Sequence, residues 1–139
     1  MIQLSKITLR ENNMKEEFKP YRSVEKPWGR EVWCALTDEY CLKLIEIKKG
    51  FVTSLQYHEK KRETTVIHSG RALVTLKRAG ETKYSQYEVG PGAIIDLPVG
   101  DIHRIEALED IVMYEASTIH VDDVVRLEDS YGRAGTSEV

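Results

Sequence analysis

Gly50-Phe51-Val52-Thr53-Ser54-Leu55-Gln56-Tyr57-His58, then Glu59-Lys60-Lys61-Arg62, then Glu63-Thr64-Thr65-Val66-Ile67-His68-Ser69-Gly70, is the passage on which the fold turns. Two runs rich in β-branched, aliphatic and aromatic residues flank a charged stretch, with a glycine at each outer end. Such a pattern reads as strand, turn, strand. Similar text continues in both directions. Strand-like runs lie at 30–36, 41–47, 52–57, 64–68, 72–77, 85–89, 93–97 and 111–117. Between them stand Lys48-Lys49-Gly50, Ser69-Gly70, Arg78-Ala79-Gly80, Gly90-Pro91-Gly92, Pro98-Val99-Gly100-Asp101 and Glu109-Asp110, all tolerant of turn geometry. No segment from Tyr21 to Ser117 sustains a 3.6-residue period, so helix, if any, belongs to the ends, around 121–127. Short strands with tight turns predict an all-β single domain, a closed barrel or jelly roll that disposes of its edges. Residues 1–20 are polar after a short apolar start and read as an N-terminal arm, either frayed or donated to a partner; 21–139 is the barrel with a C-terminal tail.

The bulk composition narrows the class of partner. The chain has 139 residues, 41% hydrophobic and 31% charged, with a net charge of −3. This is ordinary for one globular domain, and charges of both signs are interspersed. That argues against a nucleic-acid partner, which calls for a basic face. Lys60-Lys61-Arg62 is flanked by Glu59 and Glu63 and reads as a solvated turn. Two cysteines, Cys34 and Cys41, are too few for a disulfide framework and are expected to be buried free thiols. No apolar run approaches a membrane span or the core of a signal peptide, so the expected location is cytoplasmic.

Four polar residues stand out as metal ligands. Gln56 and His58 are two apart on one strand and so share a face. Glu63 opens the next strand, and His103 follows the turn Pro98-Val99-Gly100-Asp101 at the start of another. If the shared face is the barrel interior, N and O donors converge there from three segments. Imidazole and carboxylate suit Zn, Fe, Mn, Co or Ni, and open coordination positions would leave room for substrate. His68, before a Ser-Gly turn, and His120, in the tail, lack such support.

Two longer spacings then carry a resemblance. Gly50-x5-Gln56-x-His58-x4-Glu63-x6-Gly70 resembles the first motif of the cupin superfamily, with Gln in place of the usual first His. Gly92-x5-Pro98-x-Gly100-x2-His103 resembles the second, with Ala107 where an Asn is usual. Lys26-Pro27-Trp28-Gly29, the run Thr53 to His58, Arg62-Glu63, the run Leu97 to Ile105 and the run Asp122 to Arg133 are together similar to the type II phosphomannose isomerase domain. The resemblance implies a cupin β-barrel (double-stranded β-helix) and a zinc ion held by Gln56, His58, Glu63 and His103. Where that family continues Glu-His-Trp, this chain reads Glu63-Thr64-Thr65, so a wider or more polar cavity is expected there.

The implied activity is a metal-dependent aldose–ketose isomerisation of a sugar or sugar phosphate through an enediol. It requires an electrophile and a base. Glu115 and Lys43 lie on predicted strands in runs that match the family and are the candidates for the base. Arg104 follows a ligand; alternation turns it away toward a structural ion pair, but at a strand end it could reach an anionic substrate group. Arg126 or Arg133 would bind phosphate if the tail crosses the barrel mouth. Trp28 is expected to pack at the entrance or a dimer face. Two other readings stay open, an iron-dependent cupin oxygenase and a non-catalytic sugar-binding or regulatory cupin. A homodimer is expected, paired through a sheet face or an N-terminal strand.

Overall fold

The computed structural model describes residues 19–136, with isolated positions 3, 5, 8 and 15. The N-terminal arm expected over residues 1–20 therefore lies almost wholly outside the described residues. Among these the chain forms eleven strands: β1 (Arg22–Lys26), β2 (Gly29–Leu36), β3 (Cys41–Ile47), β4 (Leu55–Tyr57), β5 (Glu63–Ser69), β6 (Ala72–Lys77), β7 (Ser85–Val89), β8 (Ile94–Leu97), β9 (Ile102–Ala107), β10 (Ile111–Ser117) and β11 (Val125–Glu128). They build two antiparallel sheets, in the orders β1-β2-β3-β10-β5-β8 and β11-β4-β9-β6-β7. Neighbours far apart in sequence, such as β3 with β10 and β4 with β9, are the crossovers of a jelly roll.

The strands expected at 41–47, 72–77, 85–89 and 111–117 form with those bounds. The one expected at 52–57 shortens to β4, because Val52 makes only an isolated bridge to Glu106. Thr53 is instead tied by its Oγ1, which accepts the Ile105 N–H at 3.0 Å. At 121–127 the helix expectation is wrong. Val125 pairs with Tyr57 and Arg126 with Gln56, so the segment ends as β11 on the edge of β4. Adjacent β-branched Val124 and Val125 favour an extended chain, and the open edge supplies hydrogen-bond partners that a lone helical turn would lack.

The two inner faces share a gradient that positions the site. Across β3, β10 and β5, Ile45–Met113–Ile67 form one buried row and Lys43–Glu115–Thr65 the next. Across the other sheet, Ala72 faces Ala107 and Val74 faces Ile105, whereas Leu76, His103, Gln56 and Arg126 form the next row. The period-2 alternation thus gives each sheet an apolar floor and a polar upper tier. With Trp28, Ile47, Ile95, Leu97 and Ile111 the floor makes one core. Each large aliphatic buried there contributes about 1.5–3 kcal/mol.

Gly70 closes the β5–β6 turn at φ +84°, and a Cβ there would lie 2.1 Å from the Asp110 carbonyl oxygen. Both cysteines are free. Cys41 is buried as expected, but Cys34 is exposed, at the register irregularity between Trp33 and Ala35. Among the described residues no helix is long and apolar enough to cross a membrane.

Candidate metal centre

β4 ends one residue before His58, β5 begins at Glu63 and β9 carries His103 opposite Gln56. His58, Glu63 and His103 are all buried, and one ligating atom from each lies within 4.8 Å of the others. The Nε2 atoms of His58 and His103 stand 3.4 and 3.1 Å from Glu63 Oε1. Each imidazole is oriented from behind. His58 Nδ1–H donates to the Asp123 carbonyl, and His103 Nδ1–H donates to the Asp101 carbonyl at 3.2 Å. With the proton committed at Nδ1, each Nε2 presents a lone pair inward, the usual outer-shell support of a metal-binding histidine. His58 Nε2 is fully buried and has no hydrogen-bond partner among the described residues. Lone pairs crowded around one carboxylate oxygen suit a cation, so the donor set fits a divalent ion. Gln56 lines the same cavity, its Oε1 accepting from Ser54 Oγ at 2.5 Å.

Around this cluster the cavity is strongly charged. Lys61, read from sequence as part of a solvated turn, is buried; its Nζ lies 3.0 Å from Glu63 Oε2 and 3.2 Å from Glu115 Oε1. Burial pushes the Glu63 carboxyl up, but the Lys61 charge and the adjoining His103 and His58 imidazoles outweigh it and hold the group well below the usual carboxylate range. Burial also pushes Glu115 up, and there the nearby Glu63 charge adds to it, so its proton is bound more tightly than usual despite Lys61 and Lys43. Lys61 is driven above the ordinary lysine value, because Glu115 and Glu63 outweigh its burial. His103 is raised as well, its burial outweighed by the adjoining Glu63 carboxylate, which favours the protonated ring.

Both candidates for the base face the cavity. Glu115 sits between Lys43 and Thr65 on the inner tier, and Lys43 Nζ lies 3.3 Å from Glu31 Oε2 and 4.2 Å from the Trp33 ring centroid. Arg104 does not reach the cavity. It lies on the outer face of β9, with Nε donating to the Thr53 carbonyl at 3.1 Å and Nη1 meeting Glu128 Oε2 at 3.4 Å. Alternation has prevailed over any swing at the strand end. Of the two threonines, Thr65 lines the cavity, whereas Thr64 points outward and donates to Asp96 at 3.3 Å. The tail does cross the mouth, and Val121, Val124, Arg126 and Arg133 line it. Arg126 Nη1 donates to the Thr136 carbonyl at 3.2 Å, and Arg133 pairs with Asp129 at 3.0 Å. Trp28 is buried in the core beside the cavity. His68 stacks edge-on against Tyr114, and His120 contacts Thr118, both away from the cluster. Lys26, which sequence reasoning used only as part of the resemblance, and Glu31, which it passed over, also line the cavity.

Residues 13–129 match the family described as mannose-6-phosphate isomerase C-terminal. The chain belongs to that family. Among curated relatives of this family, the mannose-1-phosphate guanylyltransferase ManC of Salmonella typhimurium is 34% identical over 124 residues, covering 86% of this chain and 25% of that protein. The xanthan biosynthesis protein XanB of Xanthomonas campestris is 32% identical over 124 residues, covering 81% of this chain and 24% of its own length. The chain thus spans about a quarter of the length of these relatives. The capsular polysaccharide assembling protein CapF of Staphylococcus aureus superposes with a TM-score of 0.69 at 21% identity, over 78% of this chain and 32% of that one. Oxalate decarboxylase of Lactobacillus farciminis superposes with a TM-score of 0.65 at 17% identity, over 76% and 33%. At such identities the likeness speaks to the fold alone, and the fold is that of a single-domain cupin.

Proposed function

We propose that this cupin holds one divalent metal ion through His58, Glu63 and His103, with Gln56 as a fourth donor, and interconverts an aldose and a ketose, most naturally a sugar phosphate. The observation that carries the proposal is the chain of contacts Glu63–Lys61–Glu115, which sets a carboxyl of raised proton affinity one lysine away from the donor cluster. An ion bound there would polarise the carbonyl and hydroxyl oxygens of a substrate. Glu115, buried and facing the same cavity, is the group that takes a proton from one carbon and returns it to the next. Lys61 holds the Glu115 carboxylate in place. Lys43 is engaged with Glu31 and the Trp33 ring and so serves as a positioning cation rather than the base. The family, and relatives named for mannose 1-phosphate, support a phosphorylated sugar as substrate. Zinc is the ion we assign, since the chemistry needs a Lewis acid without redox change.

A second reading is kept open by the donor set itself: two histidines and one carboxylate also suit non-haem iron. Metal analysis of the purified protein separates the two, followed by NMR of aldose and ketose phosphates in deuterated buffer. Exchange of the C2 proton supports the isomerase; an iron-loaded protein that consumes O₂ and exchanges no proton refutes it. A homodimer belongs to the same proposal. Its support is an outward apolar row, Leu44–Tyr114–Val66–Ile94, crossing four strands of one sheet, with Ile94 70% exposed. Light scattering at twice the chain mass is the expected result.

A further inference from the structure

We propose that Asp123 is a positioning residue that clasps the β4–β5 loop and fixes His58 and Lys61 in the metal centre. The inference rests on the metal-binding reading above and adds to it a residue that is neither donor nor base. His58 opens this loop and Glu63 ends it, so both ends of a short, cationic stretch are candidate ligands. The stretch lies between β4 and β5, so the amides of residues 59–61 have no strand ladder to hold their path. Asp123 counters this at successive backbone amides. Its Oδ1 accepts the Glu59 N–H at 3.2 Å, and its Oδ2 accepts those of Lys60 at 2.6 Å and Lys61 at 2.8 Å. Consecutive N–H groups turned onto one carboxylate form an anion nest whose occupant is supplied by the protein itself.

The main chain of the same residue completes the device, since the Asp123 carbonyl accepts the His58 Nδ1–H. One tail residue therefore sets both the imidazole tautomer and the path of the loop that carries Lys61 to Glu63 and Glu115. The far end of the loop is tied separately. Arg62 N–H donates to Thr118 Oγ1 at 3.2 Å, and Thr118 N–H donates to the Arg62 carbonyl at 3.0 Å. Loss of the Asp123 carboxylate should therefore release the His58 end while Glu63 stays anchored. That asymmetry separates a positioning role from a general loss of stability.

The test uses the full chain with Co²⁺ or Zn²⁺ alone as the probe. Asp123→Ala should weaken Co²⁺ affinity, measured by chelator competition, by about 10–100-fold, the range for removal of outer-shell partners. It should also shift the visible d–d bands, as one donor becomes loosely held. Asp123→Asn keeps one carbonyl oxygen for the amides and should recover part of both signals. Wild-type affinity and an unchanged spectrum in Asp123→Ala overturn the inference. If Asp123→Ala does not fold, Asp123→Asn and the wild type decide. Asp123→Asn should then bind Co²⁺ more weakly than wild type, and Zn²⁺ should slow amide exchange at Glu59–Lys61 in the wild type. An unchanged Asp123→Asn affinity, or unchanged exchange rates, overturns the inference. A wild-type protein that takes up neither ion refutes the metal centre itself, a result distinct from a clasp variant that binds normally.

Discussion

Lys61 lies between Glu63 and Glu115, buried carboxylates that would otherwise repel each other above an apolar floor. Removing one member of a buried ion cluster typically costs about 3–5 kcal/mol, because the remaining charges stay desolvated. Lys61→Met should therefore destabilise the metal-free protein by roughly that amount, read from urea midpoints near neutral pH. The loss should shrink in acid, as Glu115 protonates and the repulsion is relieved. Glu115→Gln tests the base directly. C2 proton exchange should fall by about 10²–10⁴-fold, while metal content stays at the wild-type level. The pH dependence has a definite sign. Glu115 binds its proton more tightly than an ordinary carboxyl, so its basic form, and the exchange rate, should appear only as pH rises through that raised value. The same shift makes Glu115 a stabilising group below the ordinary carboxylate pKa, with that contribution lost as pH rises. The clustering of the candidate donors was legible from sequence because Gln56 and His58 are two apart, and the alternation of β4 carries on to His58 just beyond its end. Lys61 was not. A turn residue has no such rule, and three adjacent cationic residues give no sign of which one folds inward.

The strands and turns impose their own tests. At Gly70 a side chain would meet both a left-handed backbone and the Asp110 carbonyl at 2.1 Å, whereas at Gly92, φ +88°, a Cβ meets nothing within 4 Å. Gly92→Ala should cost about 1–2 kcal/mol, the left-handed penalty alone. Gly70→Ala should cost more, since two packed turns must also move apart. Equal urea midpoints for the two variants would contradict this account. The interior strands were readable because alternating, bounded runs declare themselves, as Cys41–Ile47 and Ile111–Ser117 do. β11 was not readable, because Val125–Glu128 is short and owes its strand state to the unpaired edge of β4, a partner remote in sequence. Arg104 shows the limit from the other side: alternation turns it outward, and its guanidinium is engaged there by the Thr53 carbonyl and Glu128 rather than swung toward a substrate group in the cavity.

For the molecule as a whole, the charged tier is the link between stability and ligand. Without a metal ion, Glu63 is held below its ordinary range. Its stabilising contribution is therefore present above the usual carboxylate pKa and lost as pH falls through the depressed value. Metal binding adds a second, separable term. An ion that binds only the folded state stabilises it by about 2.7 kcal/mol at a free concentration one hundred times its Kd. That term requires His58 and His103 to be unprotonated at Nε2, and the neighbouring Glu63 raises the proton affinity of His103. Protons therefore displace the ion at a higher pH than they neutralise Glu63. Thermal unfolding with zinc and with a chelator should give separate midpoints at pH 8. The curves should converge as pH falls through the histidine range, the chelated protein itself gaining stability there as His103 takes up its proton. His103→Ala should merge them at every pH. Midpoints that never separate in the wild type, or that stay apart in His103→Ala, would mean that the buried His58–Glu63–His103 cluster does not hold the ion.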